Sequence, residues 1–361
     1  MKAAVLRQIG QPLSIEEVQV DKPGPREVLI RTAAAGVCHS DLHFLQGAFP
    51  TPLPTVLGHE SAGVVEAVGA DVRAVKPGDH VITCLSAFCG HCEYCLGGRM
   101  SICPSDEPKR GAAEPSRLSQ RGEGMAQYLH LSAFAEQILT HEHAVVAIRP
   151  DMPLDRAALI GCAAITGYGA VVRTARVAPG QSVAVVGCGG VGLSAINAAE
   201  IAGAGRIVAI DARPEKEALA RTFGATDFVC AVETDVVKAV KALTAGGVDH
   251  ALECVGVPAT AQQAFGMLRR GGTATIVGMI PVGEMVQVPG AAFLQEKRLQ
   301  GSMMGSNHFP VDMPRLVDFY MQGRLKLDAL VSRRIRLGQV NEAFAEMQTG
   351  TIARSVILFD G

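Results

Sequence analysis

The sequence has almost no excess charge: 33 Lys and Arg face 35 Asp and Glu, a formal net charge of −2 over 361 residues. That leaves no basic field to hold nucleic acid and no strongly acidic tail, so small-molecule chemistry is the expectation. Long hydrophobic runs are also missing. Stretches such as Ser182 to Val186 and Val191 to Ile201 meet glycines within a few residues, well short of the ~20 apolar residues that span a bilayer, and no membrane segment is expected. The opening MKAAVLRQIG shows no apolar core and no small-residue cleavage site of a secretory signal, so a cytoplasmic location is expected. Neither an internal repeat, a low-complexity tract nor a flexible linker is visible. Ten cysteines are too sparse for a disulfide framework in a chain of this length. In a reducing compartment, clustered cysteines more often bind metal or do chemistry.

The length exceeds what one hydrophobic core usually supports, which predicts two domains of unequal size. The first 160 residues read as an irregular β body, with strands predicted over Met1 to Leu6, Val28 to Ala34, Glu60 to Val68 and His80 to Leu85, separated by Pro-Gly and Gly-Asp turns. From Ser182 onward apolar strands alternate with Ala-rich helical segments, with further strands predicted at Val248 to Glu253 and Thr273 to Val277. Such alternation specifies a parallel sheet with crossover helices. After Met303, a helix over Val311 to Gln322 and a strand over Ala353 to Phe359 return to the texture of the first domain.

Gly187, Gly189 and Gly192 stand as GxGxxG in SVAVVGCGGVGLSAINAAE, where a strand gives way to a helix. The first glycine permits the tight turn, the second lets a pyrophosphate approach the backbone, and the third allows close helix packing. The helix N-terminus adds unpaired N–H groups and a positive dipole. Asp211 closes the next strand, RIVAID, about twenty residues downstream, where a carboxylate accepts both ribose hydroxyls. A carboxylate there repels a 2′-phosphate, so NAD is expected over NADP, although Arg213 two residues on softens that repulsion.

Cys89, Cys92, Cys95 and Cys103 form a C-x2-C-x2-C-x7-C lobe, four thiolates able to close a tetrahedral structural zinc site in one short loop. The spacing is also that of an iron–sulfur run, but zinc is preferred because no redox context follows. His91 inside the lobe reads as a solvated residue. A dispersed set comprises Cys38 in GVCHSDLH, His59 and Glu60 in GHE, and Cys162 in GCAAITGYG. Two thiolates and an imidazole would leave one position open on zinc, as a catalytic site requires. Spacing alone does not bring them together, and Cys162 taken singly reads equally as a small core residue.

Together GVCHSDLH, GHE, the four-cysteine lobe, GCAAITGYG, GCGGVG and AID resemble the zinc-containing medium-chain alcohol dehydrogenases across nearly the whole chain. The resemblance implies an α/β protein: a GroES-like β-rich catalytic domain in two pieces, 1–160 and 302–361, around a Rossmann NAD-binding domain, 161–301. It implies NAD and two zinc ions per subunit, with Cys38, His59 and Cys162 on the catalytic zinc and the four-cysteine lobe on the structural one. Glu60 becomes a nearby carboxylate able to approach the metal, and Asp41 the partner that holds the other nitrogen of His59. Ser40 and His43 become the proton relay to solvent; the alternative is that they merely cap a helix. His39, Thr166, Gly187, Gly189, Gly190, Val191, Gly192, Asp211, Lys216 and Arg354 are the implied cofactor contacts, with His39 and Arg354 at the pyrophosphate and Lys216 at the adenosine ribose.

Phe49, Leu85, Tyr128, Leu129, Met279 and Met303 match pocket-lining positions of that family and are mostly apolar. The loop LQGAFPTPLP carries no charge, so an apolar aromatic or medium-chain primary alcohol or aldehyde is the expected substrate. S-(hydroxymethyl)glutathione is the alternative. A non-catalytic NAD-binding redox sensor and a zinc-free reductase of the same fold are rival readings, each leaving the metal-binding residues without a purpose. Segment Ser105 to Met125 departs most from the family pattern and reads either as a solvated loop or as a determinant of specificity or subunit contact. A homodimer or homotetramer is expected, through an edge strand near Gly272 to Gly301. Cys84, Cys188, Cys230 and Cys254 are expected as small buried residues.

Overall fold

The computed structural model describes residues 1–111, 113–350 and 352–359 and divides into two units. The first comprises Met1–Ala163, His308–Gln322 and Val331–Gly361. Its organising element is the long strand Glu27–Val37, whose apolar side chains serve a buried core. It pairs antiparallel with Ser61–Val68, Gln137–His141 and Arg354–Leu358. The wider sheet runs Val145–Ile148, His80–Thr83, Ser61–Val68, Glu27–Val37, Arg354–Leu358, Val331–Ile335. A second six-stranded sheet includes Lys2–Leu6, Thr55–Val56 and Glu123–Gln127. Val5, Leu6, Ile30, Leu57 and Phe134 fill this unit's core with no exposed surface.

Register decides what meets at one end of that sheet. Val37 pairs with Ser355, and Ala35 with Ser61. Cys38 just past one strand, Glu60 just before the second and Arg354 at the start of the third are therefore carried to the same edge. Cys162 arrives on a helix that begins at Leu154–Leu159 and widens into a π turn at Ile160–Ala164. Gly161 permits the approach, since a Cβ there would lie 2.9 Å from the Thr83 carbonyl oxygen. The whole helix, Leu154–Ala175, has the length and apolarity of a membrane span but is mostly buried inside the protein, as a core helix is. The sequence reading did not anticipate it.

The second unit comprises Ala164–Asn307 and Gly323–Leu330. Its six strands are all parallel, in the order Asp227–Cys230, Arg206–Asp211, Ser182–Val186, Val248–Glu253, Leu268–Ile276, Arg298–Gly301. The chain starts in the middle, winds outward one way and then returns to wind the other, a doubly wound sheet with its switch point between Ser182–Val186 and Val248–Glu253. Strands buried on both faces explain the continuous apolar runs of the sequence. The unit boundaries differ from the expected 161 and 302. Residues 303–307 stay with the second unit because Gly305 packs on Gly169, where a Cβ would lie 2.1 Å from the Gly305 oxygen. Residues 323–330 rejoin it through Asn197, which accepts the Lys326 N–H at 3.1 Å and donates to the Arg324 oxygen at 3.2 Å.

Candidate active site

At the sheet edge of the first unit, the Cys162 sulfur lies 3.2 Å from His59 Nε2 and 3.9 Å from the Cys38 sulfur. All three residues are buried, and their ligand atoms lie within 4.8 Å of one another. Zn–S distances near 2.3 Å and Zn–N distances near 2.0 Å place tetrahedral donors at about these separations, so the set fits a zinc ion and leaves a fourth position open. Cys38 immediately precedes helix His39–Leu45, and Asp41 on its first turn accepts the Cys38 N–H at 3.1 Å. The other Asp41 oxygen lies 2.8 Å from His59 Nδ1. A carboxylate there accepts a hydrogen bond from Nδ1–H and leaves Nε2 to face the sulfurs. Burial works against charging His59, but Asp41 raises its pKa well above the ordinary value.

A buried cation and a buried carboxyl complete the surroundings. Arg354, 4% exposed, points Nη2 at the Cys38 sulfur, 3.4 Å away, and Nε at Glu60 Oε2, 3.7 Å away. Cys162 and then Arg354 draw the Cys38 thiol well below its usual range, which favours the thiolate a metal needs. Burial pushes Glu60 up to about 7 against the opposing pull of Arg354. Glu60 fits only because residue 36 is glycine: a Cβ there would lie 2.7 Å from its carboxyl carbon.

Ser40 Oγ is 3.6 Å from the Cys38 sulfur. His43 follows one turn later, its ring edge-on to exposed His39 at 5.0 Å and stacked on Phe49 at 6.2 Å. Its buried Nδ1 has no partner among the described residues. Cys38 and Gln46 cap this helix, so capping does not account for Ser40 and His43.

The four-cysteine lobe is a second donor cluster, with sulfurs 3.5 Å (Cys92–Cys95), 3.6 Å (Cys89–Cys103), 3.8 Å (Cys92–Cys103) and 3.9 Å (Cys89–Cys95) apart. Four sulfurs at tetrahedral edge lengths suit zinc with no open position. The His91 backbone N–H draws the Cys89 thiol down to about 6. The His91 side chain is exposed and lies 3.5 Å from Glu107, as a solvated residue would.

In the second unit, Gly187 ends its strand at φ +95°, and Gly189 precedes helix Gly190–Ile201. A Cβ on Gly192 would lie 1.7 Å from the Gly187 oxygen, so the helix packs on the turn only through glycine. Asp211 accepts the Cys188 N–H at 2.7 Å and the Arg213 N–H at 3.0 Å, which fixes its carboxyl group beside the glycine turn. Buried Lys216 sits nearby on turn Pro214–Lys216; burial lowers its pKa and Asp211 opposes that. Buried Thr166 lies 3.4 Å from the Met304 sulfur.

Residues 24–150 match the alcohol dehydrogenase GroES-like domain and residues 190–321 the zinc-binding dehydrogenase family. The chain is 37% identical over 99% of its length to S-(hydroxymethyl)glutathione dehydrogenase from Saccharomyces cerevisiae, covering 96% of that protein. It is 38% identical to the Haemophilus influenzae protein of the same name, over 99% and 96% of the two chains. The chain belongs to the zinc-containing medium-chain alcohol dehydrogenases. Among solved structures, benzyl alcohol dehydrogenase from Acinetobacter calcoaceticus superposes with a TM-score of 0.94 at 31% identity over 99% of both chains. This dehydrogenase is thus an NAD-dependent zinc oxidoreductase acting on small alcohols and aldehydes.

The residues matched to pocket-lining positions are divided between the two units. Tyr128 is 2% exposed, its ring edge-on to Phe44 at 5.0 Å and to His59 at 6.0 Å. Leu129 adopts a left-handed backbone (φ +47°) and packs on the main core, while Leu85 joins a small cluster with Ala87, Leu131 and Ala144. Met279 and Met303 belong to the second unit, and Met303 is exposed. Cys84, Cys188 and Cys230 are buried; Cys254 is partly exposed, a departure from expectation that follows from its place in the loop after strand Val248–Glu253. Segment Ser105 to Met125 is a solvated loop only in part, with Asp106, Glu107 and Glu114 exposed. Arg110 and buried Arg117 both bind Glu27, and Leu118–Gln120 and Glu123–Gln127 are strands. Arg354's contacts with Cys38 and Glu60, and the need for Gly36, had no signal in the spacing; only strand register exposes them.

Proposed function

We propose that Cys38, His59 and Cys162 hold the zinc at which an alcohol is oxidised or an aldehyde reduced, and that Cys89, Cys92, Cys95 and Cys103 hold a structural zinc. The convergence of the three buried donors with one open position carries this reading. The bound zinc and NAD supply Lewis acidity and a hydride acceptor. Asp41 orients His59, and Glu60 with Arg354 sets the charge around the donors. Ser40 takes the alcohol proton and His43 hands it toward solvent. Gly187, Gly189, Gly190, Val191, Gly192, Asp211, Lys216, Thr166, His39 and Arg354 are the proposed NAD contacts. The edge strand Arg298–Gly301, with exposed Phe293 and Leu294 before it, is the proposed contact with a second copy.

For the substrate, S-(hydroxymethyl)glutathione stands first, supported by relatives at 37–38% identity that cover nearly the whole chain. An apolar primary alcohol is the second reading, favoured by the uncharged loop LQGAFPTPLP and by the row of rings Phe49, Phe44, Tyr128 leading to His59. Comparing kcat/KM for NAD-dependent oxidation of a formaldehyde–glutathione mixture and of benzyl alcohol decides. A higher value for the glutathione adduct is expected. The reverse order establishes the apolar reading, and turnover of neither refutes both.

A further inference from the structure

Glu253 ends the strand beside the glycine turn, pairing with Val186 in register, and has no exposed surface. Its Oε1 accepts the N–H groups of Val255 and Gly256 at 2.8 Å each, with the Thr260 hydroxyl also at 2.8 Å. Its Oε2 is buried and has no hydrogen-bond partner among the described residues. A buried carboxyl group with one oxygen saturated and the other empty is costly, and local chain folding alone does not require one. It is also walled in: a Cβ on Gly278 would lie 2.6 Å from that oxygen and 2.2 Å from the Gly256 nitrogen. The Glu253 carbonyl accepts the Val277 and Gly278 N–H groups at 2.9 and 3.0 Å. One residue therefore clamps two loops, 254–257 and 277–279, against each other.

Those loops continue the wall of the glycine turn. The Cys254 N–H donates to the Val186 oxygen at 2.9 Å, and a Cβ on Gly187 would lie 2.7 Å from Val255 Cγ2. Gly256, at φ +90°, presses on Met279, where a Cβ would lie 2.6 Å from the backbone oxygen. The clamp lies at the switch point of the sheet, on the side of the turn opposite the strand that ends in Asp211. Ligands of doubly wound sheets bind across this crevice, with the adenosine ribose on the acidic residue. The other side then receives the nicotinamide half.

We propose that Glu253 is a positioning residue for the nicotinamide half of NAD, acting through residues 254–257 and 277–279 and leaving the adenosine half untouched. The proposal rests on dinucleotide binding at Gly187 to Gly192. Glu253→Met removes the acceptor and leaves the Val255 and Gly256 N–H groups and the Thr260 hydroxyl without it. In the full-length enzyme NADH affinity, read by fluorescence titration, is expected to fall about tenfold, the scale of a buried hydrogen bond lost. AMP affinity, read by calorimetry, is expected to stay within about twofold. A parallel loss for both ligands means a general loosening of the fold and overturns the proposal, as does unchanged NADH affinity. Failure of wild-type protein to bind either ligand would instead refute the dinucleotide site itself. If Glu253→Met does not fold, Thr260→Val decides by the same comparison: a loss confined to NADH supports the clamp, and equal or absent losses refute it.

Discussion

The two cysteine clusters of this dehydrogenase use the same ligand chemistry and are built in opposite ways. The lobe draws all its donors from residues 89–103, three of them partly exposed, with no strand ladder holding the loop. The Cys38–His59–Cys162 set draws on three distant segments, is wholly buried, and is set by strand register and a helix. Among the described residues, no side chain around the lobe plays the part that Asp41, Glu60 and Arg354 play around the second set. A closed metal site serves in place of a core and needs only its ligands. A site that must keep one position open needs groups that aim the ligands and balance their charge.

The largest effect should come from exchanging losses between the clusters. Cys162→Ala is expected to remove half of the bound zinc and to lower turnover about a thousandfold or more, with little change in Tm. Cys95→Ser is expected to remove the other half and to lower Tm markedly, because the lobe has no core to fall back on, while folded molecules keep most of their turnover. Metal analysis, thermal unfolding and steady-state rates on both variants test the division. A fully folded Cys95→Ser protein without activity would break it.

The same contrast explains what the sequence could reveal. The lobe was legible because its geometry is local: four cysteines spaced by two, two and seven residues nearly dictate a tetrahedron. The glycine turn and Asp211 were legible for the same reason, since a strand, a turn and a helix follow one another directly. Val248–Glu253 was placed to the residue because alternate burial did not matter in a strand covered on both faces. The open donor set could be assembled only by likeness to a family, because nothing in the spacing of Cys38, His59 and Cys162 encodes convergence. Helix Leu154–Ala175 went unrecognised because it is apolar on all sides, and its glycines and β-branched residues obscure a helical period. The contacts of Arg354 with Cys38 and Glu60 had no sequence signal because they depend on pairing with a strand more than three hundred residues earlier.

A third arrangement lies just beyond the lobe and sharpens the comparison, because there charge alone does what zinc does elsewhere. Burial by itself would raise the pKa of Glu27, but Arg110, the Gly24 N–H and Arg117 bring it down to about 2 from an ordinary 4.5. A depressed carboxyl pKa stabilises the fold above the unfolded-state value, and that stability is lost as pH falls from about 4.5 toward 2. The difference corresponds to roughly 3 kcal/mol. Glu27→Gln is expected to lose about that much at neutral pH, since it leaves two guanidinium groups short of a partner. The gap between variant and wild type should narrow in acid, because below about pH 4.5 Glu27 of the unfolded chain takes up a proton while the folded protein holds it ionised down to about pH 2. Denaturant unfolding at pH 7 and near pH 3 measures it, and a constant gap would show that the guanidinium groups hold the segment by packing instead.

The smallest effect separates the open site from the closed one, because only an open site has a proton to dispose of. His43 is half-buried; burial first and the nearby His39 second lower its pKa, so it stays neutral, and able to accept a proton, to a lower pH than an ordinary histidine. Its Nδ1 has no partner among the described residues, which leaves that nitrogen available to a relay. In His43→Ala, alcohol oxidation must release its proton to water or buffer. At high pH hydroxide serves as well, and the loss disappears. As pH falls toward the lowered pKa the substitute bases are depleted while wild-type His43 still works, so the deficit should grow to about tenfold near pH 6 and vanish near pH 9. Zinc content and Tm should not change. A deficit of equal size at every pH would assign His43 to packing against Phe49, since a ring that only fills space has no reason to matter more in acid.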